Sequence, residues 1–583
     1  MKEKPCPELV SGWKIKQAIP KDILGKLSDY PQLVAQLLYN REIKTKQDAE
    51  KFFSGDYEKD LNDPGLLKDL PEATERVQKA LENQEVVGIF GDYDADGVTG
   101  TALLCEGLRK LGLKKVIPYL PDRVKEGYGL NQKASEYLKQ KGIKLLITVD
   151  CGVSNKDEIE WLSKEKIDTV VIDHHHPPEE LPKALAIINP KQKDCRYPFK
   201  QLTGVGLGFK FIQALVAKQI KDPQKQKHLE RWLLDLVAIG TIADCAPLID
   251  ENRILVKYGL IVLQRTRRMG LKKILKISGT NPKDITADTI GFRIAPRLNA
   301  AGRMDHANHS LELLLTENEA EAIKIAQTLE EKNRQRQEVT NSITNEVRQL
   351  VKTTQKERKL IFASNQNWPE GVVGLVAGKI KEEFHRPTLV IQEKATIATG
   401  SARSVPALNI IEAITKCEKH LDHFGGHSQA AGFSLPLKNL ETFQKTISSL
   451  VEKSLTFDDL VPIVPIEAQT TFPELTFELA ETLESLAPFG EANPKPNLLA
   501  KNLTVRQINF VGANGDHLKL FLEQVGAAQK GQRYFSAIGF GLVERFKDLN
   551  LGDQVDLVFN LGINEWNGQK ELQLEIVDLK KNK

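Results

Sequence analysis

The sequence predicts an α/β protein in which a parallel-sheet domain is followed by a long connecting helix, a second α/β segment and a small β-barrel. Three patterns along the 583 residues carry this prediction. Short apolar runs alternate with amphipathic stretches from about residue 85, residues 316–352 contain neither glycine nor proline, and apolar and polar residues alternate after about 455. A chain of this length exceeds one ordinary core, so we expect two to four domains.

The parallel sheet is predicted from strand-like runs that are separated by helical runs. The strand-like runs are Glu85–Phe90, Lys115–Leu120, Lys144–Asp150, Asp168–Asp173 and Leu185–Asn189. Helical runs of about ten to fifteen residues lie between them, which is typical of βαβ units in a parallel sheet.

The remaining segments have simpler signals. Residues 1–80 show helix-like spacing, and residues 316–352 predict a partly exposed helix that connects two domains. Residues 357–450 again look α/β, whereas the stretch from 455 onward looks all-β, with hairpins predicted at Asn514-Gly515 and Asn567-Gly568. An OB-fold and another small β domain are both compatible with this last stretch.

Net charge, cysteine spacing and the distribution of apolar residues indicate the class of protein and its compartment. The net charge of +3 is nearly balanced and neither favours nor excludes a nucleic-acid partner. The six cysteines have no paired spacing, which indicates reduced thiols in a cytoplasmic protein and not a disulfide or zinc framework. The N-terminal ten residues contain no apolar run and no stretch has the length of a membrane span, so we expect neither a signal peptide nor a membrane partner.

The stretch "GDYDADGVTG" carries three alternating aspartates, Asp92, Asp94 and Asp96. Their spacing matches the start of an EF-hand loop, but the position of the required glutamate is held by Leu103, and a strand precedes the loop. A simple polar turn is also disfavoured, because carboxylates so close repel one another unless a cation neutralises them.

Further acidic and histidine side chains end the next predicted elements. Asp150 ends one strand, Asp173 to His176 end the following strand, and Asp244 ends an apolar helical run. Ligand sites of open α/β folds lie at the carboxyl edge of the sheet, where these groups would meet. Mixed oxygen and imidazole donors suit Mn²⁺, and Mg²⁺ less well, and this many carboxylates suffices for a two-ion site of the phosphodiester-cleaving type.

The motifs "DYDADG", "VDCG", "DHHH" and "GTIAD" resemble, in order and spacing, those of the DHH phosphoesterase superfamily. The later motifs resemble its RecJ branch, namely "YLPDRVKEGYGL", "APRLNAAGRM", "GVVGLVAGKI", "GSARSVP", "FGGHSQAAG" and "LAPFGEANPKP". The resemblance covers nearly the whole chain. It implies a DHH catalytic domain at 81–315 with residues 1–80 packed on it, a connecting helix at 316–352, a DHH-associated domain at 353–452 and an OB-like domain at 453–583.

The resemblance also implies roles for the residues at the sheet edge. The metal ligands would be Asp94, Asp96, Asp150, His174 and Asp244. Asp150 would bridge the two ions, His175 would face the scissile phosphate, and Asp92 and Asp173 would orient the ligands. His176 lies outside the motif and has no assigned role.

Substrate contacts are implied at a second set of residues. Arg123 would lie near the 5′ end of the DNA, and Ser401 and Arg403 would form a pocket for a 5′-phosphate, which suits a guanidinium fork with hydroxyl donors. Further contacts are expected from Arg297, Asn299, Arg303, Gly425, Gly426 and His427. One departure from the family pattern is Pro369 after Trp368, where RecJ proteins often carry a histidine.

The activity implied by the resemblance is hydrolysis of single-stranded DNA from the 5′ end to mononucleotides, in DNA repair and recombination. Expected partners are single-stranded DNA, a single-strand-binding protein and a RecQ-type helicase, with the enzyme acting as a monomer. Two alternatives remain open: a DHH phosphodiesterase acting on short oligonucleotides or cyclic dinucleotides, and a non-catalytic DNA-binding replication scaffold. Filled ligand positions favour an enzyme over the scaffold.

Overall fold

The computed structural model describes residues 12–524, 534–566 and 568–582. They form two compact units, one made of residues 56–456 with 490–492 and the other of residues 12–55, 457–489 and the described residues from 493 onward. Residues 1–10, on which the expected absence of a signal peptide rests, lie outside the described residues. Asn567, the first residue of the second predicted hairpin turn, lies outside them as well. Of the described helices, none combines the length and the apolar character that crossing a bilayer requires.

The N-terminal elements belong to the unit of the β domain. They are β1 (Gly12–Ile15), α1 (Lys21–Lys26), α2 (Gln32–Tyr39) and α3 (Lys46–Ser54). Arg41 after α2 pairs with Glu467 at 2.8 Å, and both side chains are buried. The predicted segment 1–80 is therefore split: residues 12–55 pack in the unit of the β domain, and the parallel-sheet unit begins at Asp56.

The predicted parallel sheet is confirmed. Its strands are β2 (Val87–Gly91), β3 (Val116–Tyr119), β4 (Leu145–Val149), β5 (Asp168–Ile172) and β6 (Ala186–Ile188). They lie in the order β3-β2-β4-β5-β6, and every neighbouring pair is parallel. The accompanying helices are α4 (Leu70–Glu82), α5 (Ala95–Lys110), α6 (Gln132–Gln140), α7 (Lys156–Lys164), α8 (Gly204–Gln219) and α9 (Pro223–Ala243).

Helices cover both faces of this sheet. Ile89 and Val149 pack into the cluster that contains α5 and α8, whereas Phe90 and Leu146 pack into the cluster of α6 and α7. This alternation follows from the two-residue period of a strand, and it explains why β2 and β4 are apolar throughout. After β2, the chain first adds β3 on one side of β2 and then returns to add β4 on the other side of β2. The direction in which strands are added therefore reverses between β2 and β4.

A helical region follows the sheet and ends in the long helix. Its elements are α10 (Asp250–Gln264), α11 (Met269–Ile277), α12 (Ala287–Thr289), α13 (Ala295–Met304), α14 (Asn308–Leu315) and α15 (Glu319–Thr354). The helix α15 has 36 residues, which confirms the predicted connector, and Asn318 caps its N-terminus by accepting from the backbone of Glu321.

The second α/β segment is a mixed sheet. It contains β7 (Ile361–Asn365), α16 (Glu370–Phe384), β8 (Thr388–Glu393), β9 (Ile397–Arg403), α17 (Ile410–Thr415), β10 (His423–His427), β11 (Ala430–Pro436) and α18 (Leu440–Ser454). The strands lie in the order β10-β11-β9-β8-β7. Trp368 is buried and donates its ring N–H to Glu346 on α15 at 3.0 Å, so it packs as a core residue although Pro369 follows it.

The last segment closes into a barrel. Its elements are β12 (Ile463–Ile466), β13 (Ala468–Gln469), α19 (Phe477–Glu484), β14 (Leu498–Val511), β15 (His517–Gln524), β16 (Tyr534–Gly539), β17 (Gln554–Trp566) and β18 (Gln569–Lys581). The order β14-β15-β16-β18-β17 returns to β14, so the sheet closes on itself. The hairpin at Asn514-Gly515 is confirmed, whereas α19, which Thr476 caps, interrupts the stretch predicted as all-β.

A buried ion pair joins α8 to α10 beneath the parallel sheet. Lys210 Nζ lies 2.7 Å from Glu251 Oε1, and neither side chain is exposed to solvent. Glu251 also accepts from the hydroxyl of Tyr197 at 2.7 Å and from the backbone of Asn62 at 2.8 Å. Removal of one partner would leave an uncompensated buried charge.

We predict that Lys210→Ala lowers the free energy of unfolding by about 3–5 kcal/mol, because Glu251 would remain buried without its cation. Urea denaturation followed by tryptophan fluorescence measures this change. Lys445→Ala is the matched control, since Lys445 pairs with Glu441 on an exposed helix face. An equal effect of both substitutions would contradict the assignment of the buried pair.

Candidate metal centre and phosphate pocket

Acidic side chains lie where the parallel strands end. Asp92 follows β2, Asp150 follows β4 and Asp173 follows β5. Because the strands are parallel, their carboxyl ends meet at one edge of the sheet, beside the point where the strand order reverses. The structure therefore brings together the strand ends that the sequence predicts to form one site.

Asp94 and Asp96 are held by backbone amides at two helix N-termini. Asp94 caps α5 and accepts from the backbone N–H of Asp96 at 2.9 Å. Asp96 accepts from the backbone N–H groups of Gly204, at 2.7 Å, and of Val205, at 3.0 Å, where α8 begins. A Cβ on Gly204 would lie 2.6 Å from the Cβ of Asp150, so glycine is needed for this close approach.

His174 is the central side chain of the cluster. Its Nε2 atom lies 3.0, 3.8 and 4.0 Å from carboxylate oxygens of Asp150, Asp244 and Asp96, respectively. Asp244 ends α9, as the sequence predicts. Burial, followed by the charge of His175, lowers the pKa of His174 to about 3, so its imidazole is neutral and can act as a metal ligand.

Three overlapping groups of side chains could hold divalent ions. Within each group the ligand atoms lie within 4.8 Å of one another. The groups are Asp92, Asp94 and Asp150; Asp96, His174 and Asp244; and Asp150, His174 and His175. Asp150 and His174 are shared between groups and lie side by side, which places the Asp150 carboxylate between two possible ion positions.

Burial and mutual repulsion disfavour negative charge in this cluster. Burial, followed by the charges of neighbouring carboxylates, raises the pKa of Asp92, Asp96 and Asp150 well above the ordinary value. Burial and Asp94 raise the pKa of Asp244 to about 7. Divalent cations stabilise the charged carboxylates, so the cluster can hold metal ions, and its oxygen and imidazole donors fit Mn²⁺ or Mg²⁺.

Asp92 has a free ligand atom. Its side chain is 3 % exposed, and its Oδ1 atom is buried without a hydrogen-bond partner among the described residues. An unsatisfied buried carboxylate oxygen is costly, and a coordinated cation would satisfy it.

Asp173 and Tyr128 orient His175. Asp173 Oδ1 lies 2.8 Å from His175 Nδ1, and the Tyr128 hydroxyl lies 3.1 Å from the same nitrogen. Burial lowers the pKa of His175, but the hydrogen bond and charge of Asp173 outweigh it and raise the pKa. Both contacts engage Nδ1, which leaves Nε2 for a substrate.

Three arginines, Arg123, Arg303 and Arg403, form a group within this unit. Arg403 donates to the Ser401 hydroxyl at 2.8 Å, and Arg303 donates to the Gly371 carbonyl at 3.2 Å. Burial and Arg123 lower the pKa of Arg403, and the same two causes lower the pKa of Arg303 to about 9. Within the described residues, none of the three arginines forms an ion pair with a carboxylate, so a bound anion would relieve their repulsion.

Two other predicted substrate residues have partners within the protein. Asn299 Oδ1 accepts from the backbone N–H of Ala95 at 2.8 Å. It therefore holds the acidic loop, residues 92–96, where α5 begins. Arg297 bonds to Glu330 at 2.5 Å and to the carbonyl of Arg293 at 2.6 Å. Their contact with substrate stays a prediction.

The hairpin of β10 and β11 brings His427 toward the metal cluster. The ring centroids of His427 and His176 are 6.2 Å apart. Gly426 has a φ of +145°, and a Cβ there would lie 2.3 Å from the Ala430 carbonyl oxygen, so the hairpin itself requires this glycine. Gly425 has open space at its Cβ position, which leaves room for a ligand.

The sequence prediction missed Tyr128 and Asn189. The Asn189 side chain donates to the His175 carbonyl at 2.9 Å. Asn189 directly follows β6, so the rule that located the other strand ends could have found it. Tyr128 lies within the motif "YLPDRVKEGYGL", but it does not end a strand, and the motif alone did not assign it a role.

Comparison with known proteins agrees with this architecture. The model of the DHH family, N-terminal domain, matches residues 86–241. The DHHA1 domain model matches residues 357–453, and the RecJ OB domain model matches residues 466–578. The closed barrel is therefore of the OB type, one of the two possibilities that the sequence left open.

Curated relatives match along almost the whole chain. The single-stranded-DNA-specific exonuclease RecJ of Bacillus subtilis is 37 % identical over 94 % of this chain and 67 % of that protein. The protein of the same name from Haemophilus influenzae is 34 % identical over 94 % of this chain and 96 % of its own length.

Solved structures of Thermus thermophilus RecJ have the same fold. The structure in complex with Mn²⁺ superposes with a TM-score of 0.82 at 28 % identity and covers 98 % of this chain and 80 % of that chain. The structure in complex with Mg²⁺ gives a TM-score of 0.76 at 27 % identity, over 98 % and 79 % of the two chains. Fold, domain order and sequence identity thus agree, and the chain belongs to the RecJ family of single-stranded-DNA-specific exonucleases.

Proposed function

We propose that this protein hydrolyses single-stranded DNA from the 5′ end, releases mononucleotides and acts in DNA repair and recombination. One observation carries the proposal: a carboxylate–histidine cluster and a group of arginines that form no ion pair with a carboxylate of the described residues lie in the same compact unit. The first suits phosphodiester cleavage, and the second suits a terminal phosphate. The names of the relatives, single-stranded-DNA-specific exonucleases, support it.

The metal ligands in this proposal are Asp94, Asp96, Asp150, His174 and Asp244, with Asp150 as the bridge. Asp92 joins them, because its orphaned oxygen and its place beside Asp94 fit a ligand better than the orienting role expected from the sequence. Two divalent ions, when bound, supply activation of water and neutralisation of charge on the phosphate.

His175 acts on the scissile phosphate. With Nδ1 held by Asp173 and Tyr128, the ring can present an Nε2–H group to a phosphate oxygen. The raised pKa favours the imidazolium form, in which both nitrogens donate. The fixed ring orientation means that little conformational freedom is lost when the substrate binds.

The 5′-phosphate occupies the pocket formed by Arg123, Ser401 and Arg403, with Arg303 beside it. A terminal phosphate carries more charge than an internal one, so a cluster of arginines that are not ion-paired with carboxylates discriminates in its favour. This preference gives the enzyme its 5′ polarity.

The barrel offers a stacking surface for nucleobases. Phe521 on β15 and Tyr534 on β16 stack with ring centroids 5.8 Å apart, and both are partly exposed. Exposed aromatic rings of this kind bind bases of any sequence. A surface of this type suits long strands better than dinucleotides.

The remaining expectations belong to the same proposal. The enzyme acts as a monomer in the cytoplasm, with a single-strand-binding protein and a RecQ-type helicase as partners. Scattered cysteines are consistent with a reducing compartment, since the described ones are free thiols.

We predict that Asp150→Ala abolishes hydrolysis of 5′-labelled single-stranded DNA with Mn²⁺ or Mg²⁺, with a loss of roughly a hundredfold or more. We also expect Mn²⁺ to raise the melting temperature of the unaltered protein and to leave that of Asp150→Ala unchanged. Asp157→Ala, at an exposed position seven residues away, is the control. Unchanged cleavage by Asp150→Ala would refute the metal centre.

Asp92 and Asp173 should differ in their effects. Asp92→Asn is expected to raise the Mn²⁺ concentration for half-maximal activity by about tenfold or more, because it removes a ligand charge. Asp173→Asn should lower kcat by about 10- to 100-fold at an unchanged Mn²⁺ requirement, because it releases His175. Manganese titrations of the exonuclease rate separate the two, and a reversed pattern would exchange their roles.

Arg403→Ala should raise KM for a 5′-phosphorylated strand by about tenfold, the loss of one charged hydrogen-bond donor. KM for the matching 5′-hydroxyl strand should stay unchanged. Arg334→Ala, on the exposed face of α15, serves as the control. Equal losses on both strands would remove Arg403 from the phosphate pocket.

A further inference from the structure

Lys191 stands at the far end of the row of functional groups along the sheet edge. In the strand order β3-β2-β4-β5-β6, Arg123 follows β3 at one margin and Lys191 follows β6 at the other. Between these two residues lie three groups: the aspartates after β2 (Asp92, Asp94 and Asp96), Asp150 after β4 and His174 after β5. Adjacent strands are about 4.8 Å apart, so the row spans roughly 19 Å.

The backbone of Lys191 is linked through Asn189 to His175, which follows β5. Asn189 accepts from the backbone N–H of Lys191 at 2.9 Å and donates from its amide group to the carbonyl of His175 at 2.9 Å. One side chain therefore sets the position of Lys191 relative to His175. Such bracing is expected where an ammonium group must keep a defined place beside a reaction centre.

Lys191 lies after β6, at the sheet edge that carries the metal cluster. Burial lowers the pKa of Lys191, whereas Asp173 and Asp244 raise it. The side chain is half-buried, and no carboxylate of the described residues lies within 4.0 Å of its nitrogen.

We propose that Lys191 binds the first phosphate on the 3′ side of the scissile phosphate. The inference rests on the proposed function, which places the 5′-phosphate near Arg123 and the scissile phosphate at Asp150 and His174. A strand that runs from Arg123 past these groups next reaches β6. The residue that meets its backbone there is Lys191, and an unpaired ammonium suits an internal phosphodiester.

The test compares short substrates that differ by one phosphate. A 5′-phosphorylated dinucleotide has a 5′-phosphate and the scissile phosphate, whereas the trinucleotide adds one phosphate on the 3′ side. Lys191→Ala should lower kcat/KM about tenfold on the trinucleotide and leave the dinucleotide unchanged. A neutral methylphosphonate at the second linkage should cost the unaltered protein the same factor and cost Lys191→Ala nothing further.

Controls separate this role from a structural one. Lys193→Ala, an exposed lysine two residues along, should match the unaltered protein on each substrate, and Lys191→Arg should retain most of the trinucleotide rate. An unchanged rise in melting temperature with Mn²⁺ shows that Lys191→Ala folds and keeps its metal centre. Equal losses on both substrates, or no loss on the trinucleotide, would overturn the inference. A long 5′-phosphorylated single strand tests the proposed function separately: if the unaltered protein does not cleave it, the proposed function fails, and this inference fails with it. If only the long strand is cleaved, the same comparison is made on that strand with and without a methylphosphonate at its second linkage.

Discussion

The catalytic unit depends on the confinement of several carboxylates to one sheet edge. Asp92, Asp96 and Asp150 are all nearly inaccessible to solvent, so their repulsion is not screened by water. The protein offsets part of the charge with the N-terminus of α8, whose first amides bind Asp96. Gly204, the first residue of α8, allows the helix to come close enough to Asp150 for its amides to bind Asp96. The balance of the charge is left for cations.

The fold was largely predictable because its signals are local. Apolar runs of strand length between amphipathic runs indicated each strand of the parallel sheet, and the absence of glycine and proline indicated α15. The site was predictable for a different reason. Parallel strands bring their carboxyl ends to one edge, so Asp150 and His174, which are 24 residues apart and follow adjacent strands, had to become neighbours once the topology was known.

Long-range contacts explain what the sequence could not reveal. The Arg41–Glu467 pair, which draws residues 12–55 into the unit of the β domain, joins positions 426 residues apart. Asn299 meets Ala95 across 204 residues, and only this contact shows that its side chain braces the acidic loop. Tyr128 likewise depends on the path of an irregular loop. In each case the side chain could form a hydrogen bond or an ion pair with many residues, and only tertiary packing determines which one it contacts.

The helix α15 gives the catalytic unit a fixed internal length. It packs against α13 and α16 without interruption, and Gly371 on α16 lies so close to the Arg303 carbonyl oxygen that a Cβ would stand 2.4 Å away. This contact fixes the spacing between α13 and α16 in the structure. If the arginine group anchors the strand terminus and the metal centre cuts, the spacing between the two acts as a ruler. The size of each released fragment is then set by the protein skeleton and not by the identity of the bases.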